Sequence, residues 1–257
     1  MLCKIVDSVR KKHPLVHCVT NPISITRCAD AILSAGAKPI MAEHPKEVAE
    51  ITKGADALVL NLGNITDVRM ESMLISAKTA NENNIPFVVD AVGIGCSTLR
   101  RVYVKKLLEF NPMVIKGNYS EIKALYDTEY KSCGVDADFH DVDYIKQIAK
   151  SLAQKYNCII LASGKTDVVT NGNDIFGVQN GTPQLANITG TGCMLGALCG
   201  CFVSVSPDIY GVLTACGILG ISGKRAETKS GNGTFAVCLI DELSAEFKEE
   251  EFEIEKL

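Results

Sequence analysis

Asp90, Lys116, Asn118 and Glu121 all stand at the ends of short apolar runs, where a ligand can reach them. A carboxylate such as Asp90, followed by Ala91-Val92-Gly93-Ile94-Gly95, can hold Mg²⁺ directly or through water while the small residues let the chain pass close by. The Asn118-x-x-Glu121 spacing puts both side chains on one face at the start of a helix, and so brings Glu121 toward the same crevice. The sharpest local feature is Thr189-Gly190-Thr191-Gly192-Cys193 at the head of an apolar segment. Glycines there let backbone N–H groups of a helix N-terminus face an anion, and the helix dipole adds attraction. Cys193 reads as the first residue of that helix, in a setting that makes a thiol more reactive than one inside an apolar run. Two carboxylates facing an anion hole suit Mg-nucleotide handling better than glycoside or peptide hydrolysis.

Competing motifs fit less well. Gly190-x-Gly192-x-x-x-Gly196 looks like a dinucleotide phosphate turn, but no β-run leads into it and no acid lies about twenty residues on. No Lys-Ser/Thr pair follows to make a Walker A loop. His17 and His44 adjoin apolar or proline residues and read as structural. Cys199 and Cys201 point to opposite faces of one helix, so they read as core rather than as ligands of one metal.

These residues need elements to carry them. Four apolar runs have one shape: Ala57–Leu60 leads into Asn61-Leu62-Gly63, Pro86–Val89 into Asp90, Pro112–Ile115 into Lys116-Gly117-Asn118, and Cys158–Ala162 into Ser163-Gly164. None alternates apolar with polar, which is how strands covered on both faces of a parallel sheet read. Segments of helical spacing lie between them. Ile23–Ala35 puts Ile25, Ala29, Ile32 and Leu33 on one stripe, and Thr66–Asn83 starts with Thr66 as N-cap. The alternation predicts an α/β fold with right-handed crossovers. In an open parallel sheet, ligands bind beyond the carboxyl ends of the strands, where all these polar residues fall. Thr166–Thr170 and Asp174–Val178 predict a β-hairpin. From Gly190 the pattern reads as helical to the end, with the acidic tail as a solvated helix end. Residues 127–138 read as a surface loop, and no linker divides residues 1–257, which predicts one domain.

The 257 residues are 47% hydrophobic and 22% charged, which excludes disorder. A net charge of −4 without a basic cluster argues against nucleic acid as a partner. The eleven cysteines are scattered, odd in number and lack CxxC, and no signal-peptide core precedes them. A cytoplasmic chain of free thiols is the expectation. Met194–Val205 and Ile209–Ile221 are each too short to span a bilayer, so no membrane partner is expected.

His17-Cys18-Val19-Thr20-Asn21, Pro39-Ile40-Met41-Ala42, Asn61-Leu62-Gly63, Asp90-Ala91-Val92-Gly93, Lys116-Gly117-Asn118-x-x-Glu121, Ser163–Asp167 and Thr189–Cys193 occur in this order. Together with Gly231-x-Gly233-Thr234-Phe235, this series resembles the hydroxyethylthiazole kinase family of the ribokinase-like superfamily. The resemblance implies a three-layer sandwich with a mostly parallel central sheet flanked by helices. It implies ATP-dependent phosphorylation of the hydroxyl of 4-methyl-5-(2-hydroxyethyl)thiazole for thiamine salvage, with Mg²⁺, in a homotrimer whose thiazole pockets lie at subunit boundaries. By the same resemblance Met41 and Gly190 contact the thiazole, with Asn21 and Gly63 nearby. Lys116, Ser163, Asn118 and Gly192 belong to ATP, and Asp90 and Glu121 to the metal and phosphates. Cys193 stands where most of the superfamily has a catalytic aspartate. The departures from the family pattern are Lys116 for the usual arginine, Ala91 for a proline and Asn232 for another, with Pro22 and Asn64 also atypical near the thiazole pocket. The rival readings are a kinase for hydroxymethylpyrimidine or a pyridoxal-like alcohol, and a non-catalytic thiazole or nucleotide sensor; the lack of CxxC weakens a redox protein.

Overall fold

A computed structural model describes residues 1–127, 129–130 and 141–257. The first half alternates helix and strand: α1 (Leu2–Lys12), β1 (Leu15–Val19), α2 (Ile25–Ser34), β2 (Lys38–Ile40), α3 (Val48–Lys53), β3 (Ala57–Asn61), α4 (Asp67–Glu82), β4 (Phe87–Asp90), α5 (Thr98–Leu108) and β5 (Val114–Asn118). Then come α6 (Tyr119–Tyr126), α7 (Val142–Tyr156), β6 (Ile159–Ser163), β7 (Asp167–Thr170) and β8 (Ile175–Val178). Three helices, α8 (Thr191–Val203), α9 (Ile209–Arg225) and α10 (Asn232–Leu243), precede a last strand, β9 (Ile254–Lys256).

Among the described residues, nine strands join one sheet in the order β2-β1-β3-β4-β5-β6-β7-β8-β9. The pairs from β2 to β6 are parallel, and the pairs from β6 to β9 are antiparallel. All four expected strands and the hairpin are present. Successive residues of each strand face opposite layers. Val59, Val88, Val114 and Leu161 meet α1, α2, α8, α9 and α10 on one side. Leu58, Leu60, Val89, Ile115 and Ile160 meet α4, α5, α6 and α7 on the other. Two buried faces explain why the runs read as continuously apolar.

Several expectations change. β1 and β2 are strands that the apolar pattern did not reveal, because β1 carries a buried histidine and β2 has three residues and lies at the edge. On α2 the buried face is Cys28, Ala31 and Ile32, while Leu33 is 57% exposed. The helix is rotated from the expected stripe because α8 and α10 cover its Cys28 side. The chain is not helical to its end: β9 pairs antiparallel with β8 and closes that edge. The acids before it do structural work, with Glu251 bonded to Arg225 at 2.6 Å. A three-residue strand after an acidic run leaves no periodic signal. The loop expected over residues 127–138 falls largely outside the described residues. Among the described residues, no helix is long and apolar enough to cross a membrane.

Candidate active site

The parallel register does most of the positioning. Asn61 lies opposite Asp90, and Asp90 opposite Lys116, so the carboxyl ends of β3, β4 and β5 present three polar side chains in a row. Asp90 is fully buried. Its Oδ1 accepts from Lys116 Nζ at 2.9 Å and its Oδ2 from Asn61 Nδ2 at 2.7 Å. Burial raises the Asp90 pKa, and the Lys116 ammonium and the Asn61 amide oppose that rise. Burial also works against the Lys116 charge, but the Asp90 and Glu121 carboxylates outweigh it and hold the ammonium protonated.

Asn118 and Glu121 form a capping box at the start of α6. The Asn118 side chain accepts from the Glu121 N–H at 2.8 Å, and Glu121 Oε2 accepts from the Asn118 N–H at 2.7 Å. Glu121 Oε1 accepts from the Gly93 N–H at 2.7 Å, tying down the glycine turn after β4. Burial pushes the Glu121 carboxyl up to about 7, against the pull of Lys116. Ser163 sits opposite Asn118 in the β5–β6 register, and its hydroxyl points at the Gly117 carbonyl, 3.4 Å away.

The other wall comes from the beginning and the end of the chain. Asn21 follows β1 and is buried. Its Nδ2 donates to Asn61 Oδ1 at 2.9 Å and lies 3.5 Å from Cys193 Sγ. Its Oδ1 accepts from the Ile23 and Ser24 N–H groups at 3.1 and 3.2 Å, which starts the turn into α2. Gly63 donates its N–H to Asn61 Oδ1 at 2.9 Å. A Cβ on Gly63 would sit 2.7 Å from Asn21 Nδ2, so only glycine fits there.

Gly190 is the N-cap of α8, with φ 93°, and a Cβ on it would lie 2.9 Å from Ser24 Cβ. The helix starts at Thr191, so Cys193 is its third residue, not its first. It still belongs to the opening turn, whose first four N–H groups have no partner within the helix. Gly192, Gly196 and Gly200 share one face of α8. That face lies on the sheet ends, with the Cβ positions 3.4 Å from Lys116 Nζ, 3.1 Å from Asp90 Oδ2 and 2.4 Å from Val59 Cγ2. The glycines that looked like a phosphate turn therefore also let α8 lie close against β3, β4 and β5.

One hydrogen-bonded set thus contains Cys193, Asn21, Gly63, Asp90 and Lys116, with Glu121 and Asn118 adjoining and Gly192 above Lys116. Met41 lies outside it, half-buried after β2. The buried His17 fixes the next residue: Nε2 donates to the Ala42 carbonyl and Nδ1 accepts from the Thr52 hydroxyl, both at 2.9 Å. His17 is structural, as expected. So are Cys199 and Cys201, both buried.

Sequence reasoning put Asn61 at the shared strand-end site without naming its partners, and left Thr20 and Ser24 without a role. Asn61 links the two walls. The hydroxyls of Thr20 and Ser24 are buried beside them, next to the Cys28 thiol. Asn61 stood in view at the end of an apolar run, but nothing in the spacing said that it faces Asp90 and Asn21 together.

The arrangement can bind an anion at the head of α8, neutralise it with Lys116, and present a thiol beside it. Among the described residues no group of three or more His, Cys, Asp or Glu side chains forms a cage for a metal. Two carboxylates without a third suit a Mg²⁺ whose other ligands are phosphate oxygens and water.

The Hydroxyethylthiazole kinase family matches residues 6–249. The chain is 46% identical to hydroxyethylthiazole kinase 2 of Clostridium botulinum strain Okra, over 93% of each chain. The solved hydroxyethylthiazole kinase protein of Pyrococcus horikoshii superposes with a TM-score of 0.92 at 31% identity, covering 100% of this chain and 98% of that one. A ribokinase-like superfamily protein of Enterococcus faecalis, at 13% identity and a TM-score of 0.65 over 94% and 93% of the two chains, shares the fold. The fold is the ribokinase-like three-layer sandwich, and the chain belongs to the hydroxyethylthiazole kinase family.

Proposed function

We propose that this chain transfers the terminal phosphoryl group of ATP to the hydroxyl of 4-methyl-5-(2-hydroxyethyl)thiazole, making the phosphate used in thiamine salvage. Family membership supports this reading. So does one geometric observation: the Cys193 thiol, held by Asn21, stands in the opening turn of α8 beside the Asp90–Lys116 pair.

Phosphoryl transfer passes through a loose transition state with charge spread over the transferred oxygens, so catalysis is mostly alignment and charge stabilisation. The open N–H groups of Thr191, Gly192 and Cys193 suit that charge, and Lys116 adds a full positive charge next to Gly192. Asn118 and Ser163, at neighbouring strand ends, suit the nucleotide. Gly190, Gly63, Asn21 and Met41 suit the thiazole side. Asp90 and Glu121 are the carboxylates that would hold Mg²⁺ beside the triphosphate, where the ion would supply positive charge to the leaving group. Cys193, acting as the thiolate after losing its own proton to water, accepts the proton of the acceptor hydroxyl, and no covalent phospho-enzyme is needed.

Residues 1–257 act as one domain in this reading. Family membership supports a homotrimer with its pockets at subunit boundaries. The ten described cysteines, all free, support a cytoplasmic setting.

The test is coupled ADP detection with Mg-ATP and the thiazole alcohol, each omitted in turn. Hydroxymethylpyrimidine and pyridoxal run beside it as competing acceptors. ADP that depends on the thiazole alcohol supports the assignment; ligand binding without ADP release makes the chain a sensor.

A further inference from the structure

We propose that Asn61 is a positioning residue that couples the Asp90–Lys116 pair to the Cys193 thiol. The inference rests on the kinase reading for its kinetic consequence only; its structural consequence stands without it.

Asn61 ends β3 and is 1% exposed. Its Nδ2 donates to Asp90 Oδ2 at 2.7 Å, while its Oδ1 accepts from Asn21 Nδ2 and from the Gly63 N–H, both at 2.9 Å. The amide therefore has one workable orientation. Flipping it would set its N–H groups against two donors and its oxygen against a carboxylate. Asn21 is fixed the same way, because its Oδ1 already accepts from the Ile23 and Ser24 N–H groups. That leaves the Asn21 Nδ2 to face Asn61 and Cys193 at once.

Two amides thus form a polarised bridge. It begins at the carboxylate that holds Lys116 and ends at the sulfur that faces the acceptor hydroxyl. The bridge crosses from β4 to β3, to the end of β1, and on to α8, elements far apart in the chain. Buried groups linked in this way polarise one another, and moving one end moves the other. An N–H aimed at sulfur favours the thiolate, which is the form able to accept the proton of the acceptor hydroxyl. Asn61 touches neither reacting atom. Its effect is to keep the thiol and the phosphate-side charges in one fixed relation, and that affects the rate of transfer more than the binding of either substrate.

The test compares the wild-type chain with Asn61→Ser, Asn21→Ala and the double variant, with no ligand present. Each is treated with iodoacetamide, and the modification of Cys193 is followed by peptide mass spectrometry. The exposed Cys96 of the same chain serves as the internal standard. Asn61→Ser should slow alkylation of Cys193 relative to Cys96 by about threefold or more, as thiol reactivity follows its immediate donors. Asn21→Ala should slow it similarly. The double variant should be no slower than Asn21→Ala alone, since both cut one bridge. In the kinase assay Asn61→Ser should lower kcat by about tenfold or more while the KM for ATP stays within about threefold.

An unchanged Cys193-to-Cys96 ratio in folded Asn61→Ser overturns the proposal, and so do additive effects in the double variant. If Asn61→Ser does not fold, Asn61→Asp fills the same volume and carries both readouts, the added charge slowing the thiol. Failure of both to fold assigns Asn61 to stability alone and also overturns it. A wild-type chain that releases no ADP defeats the kinase reading but leaves the alkylation result standing.

Discussion

The side-chain amide of Asn21 lies 3.5 Å from the sulfur of Cys193, although 172 positions separate them in the chain. β1 ends beside β3, and α8 crosses the ends of β3, β4 and β5, so the two meet where the parallel strands stop. This contact joins the N-terminal loop to the anion-binding turn and gives the proposed base an orientation.

The first prediction concerns that base. General-base assistance is worth about 10²–10⁴-fold, and a thiol supplies the low end of that range. Cys193→Ala should therefore lower kcat by about 10²-fold while nucleotide still binds, as followed by calorimetry. Cys193→Asp should remain active because it restores a carboxylate. Unchanged turnover in the alanine variant would remove Cys193 from the mechanism.

Gly192→Val tests the anion site. A Cβ at this position comes 3.4 Å from Lys116 Nζ. The backbone there needs no left-handed conformation, so the fold should survive by circular dichroism while phosphoryl transfer is lost. Gly190 is a poorer probe, since φ 93° strains any side chain placed there.

The buried ion pair makes a stability prediction. Lys116→Met leaves the Asp90 carboxylate with no cation in a site closed to water and should cost about 3–5 kcal/mol in urea unfolding. The double variant Lys116→Met with Asp90→Asn should lose less than Lys116→Met alone, because no unpaired charge remains. Equal losses would show that the site is more hydrated than its burial implies.

The His17 ring gives a pH dependence. Burial holds its pKa below the ordinary 6.5, so the folded chain keeps the ring neutral. On acidification the unfolded chain takes up that proton first. The stability that His17 contributes is therefore complete above about pH 6.5 and is lost as pH falls below it. His17→Gln keeps a donor for the Ala42 carbonyl and removes the titration. Its urea midpoint should change less than wild type between about pH 7.5 and about pH 5.5.

At the far end of the chain, Glu249 accepts from the N–H groups of Leu2 and Cys3 at 2.7 and 3.1 Å. It does for α1 what an N-cap side chain would do. Glu249→Ala should destabilise the chain by about 1 kcal/mol and speed amide exchange at the start of α1.

The sequence by itself determined the layered α/β class, the four central strands, the hairpin and the list of candidate residues. Those features are local: a strand covered on both faces must be apolar throughout, and polar residues at its end must face a crevice or water. The family resemblance added a role for each candidate. Tertiary structure alone decided how they meet. Nothing in the spacing showed that Asn61 faces Asp90 on one side and Asn21 on the other, because strand order and register are set by packing among distant segments. The same holds for the rotation of α2, fixed by the helices that cover Cys28, and for β9, whose three residues pair only because β8 offers an open edge. Hydrogen bonds between neighbouring strands depend on which strands are neighbours, and the local spacing of residues does not reveal that.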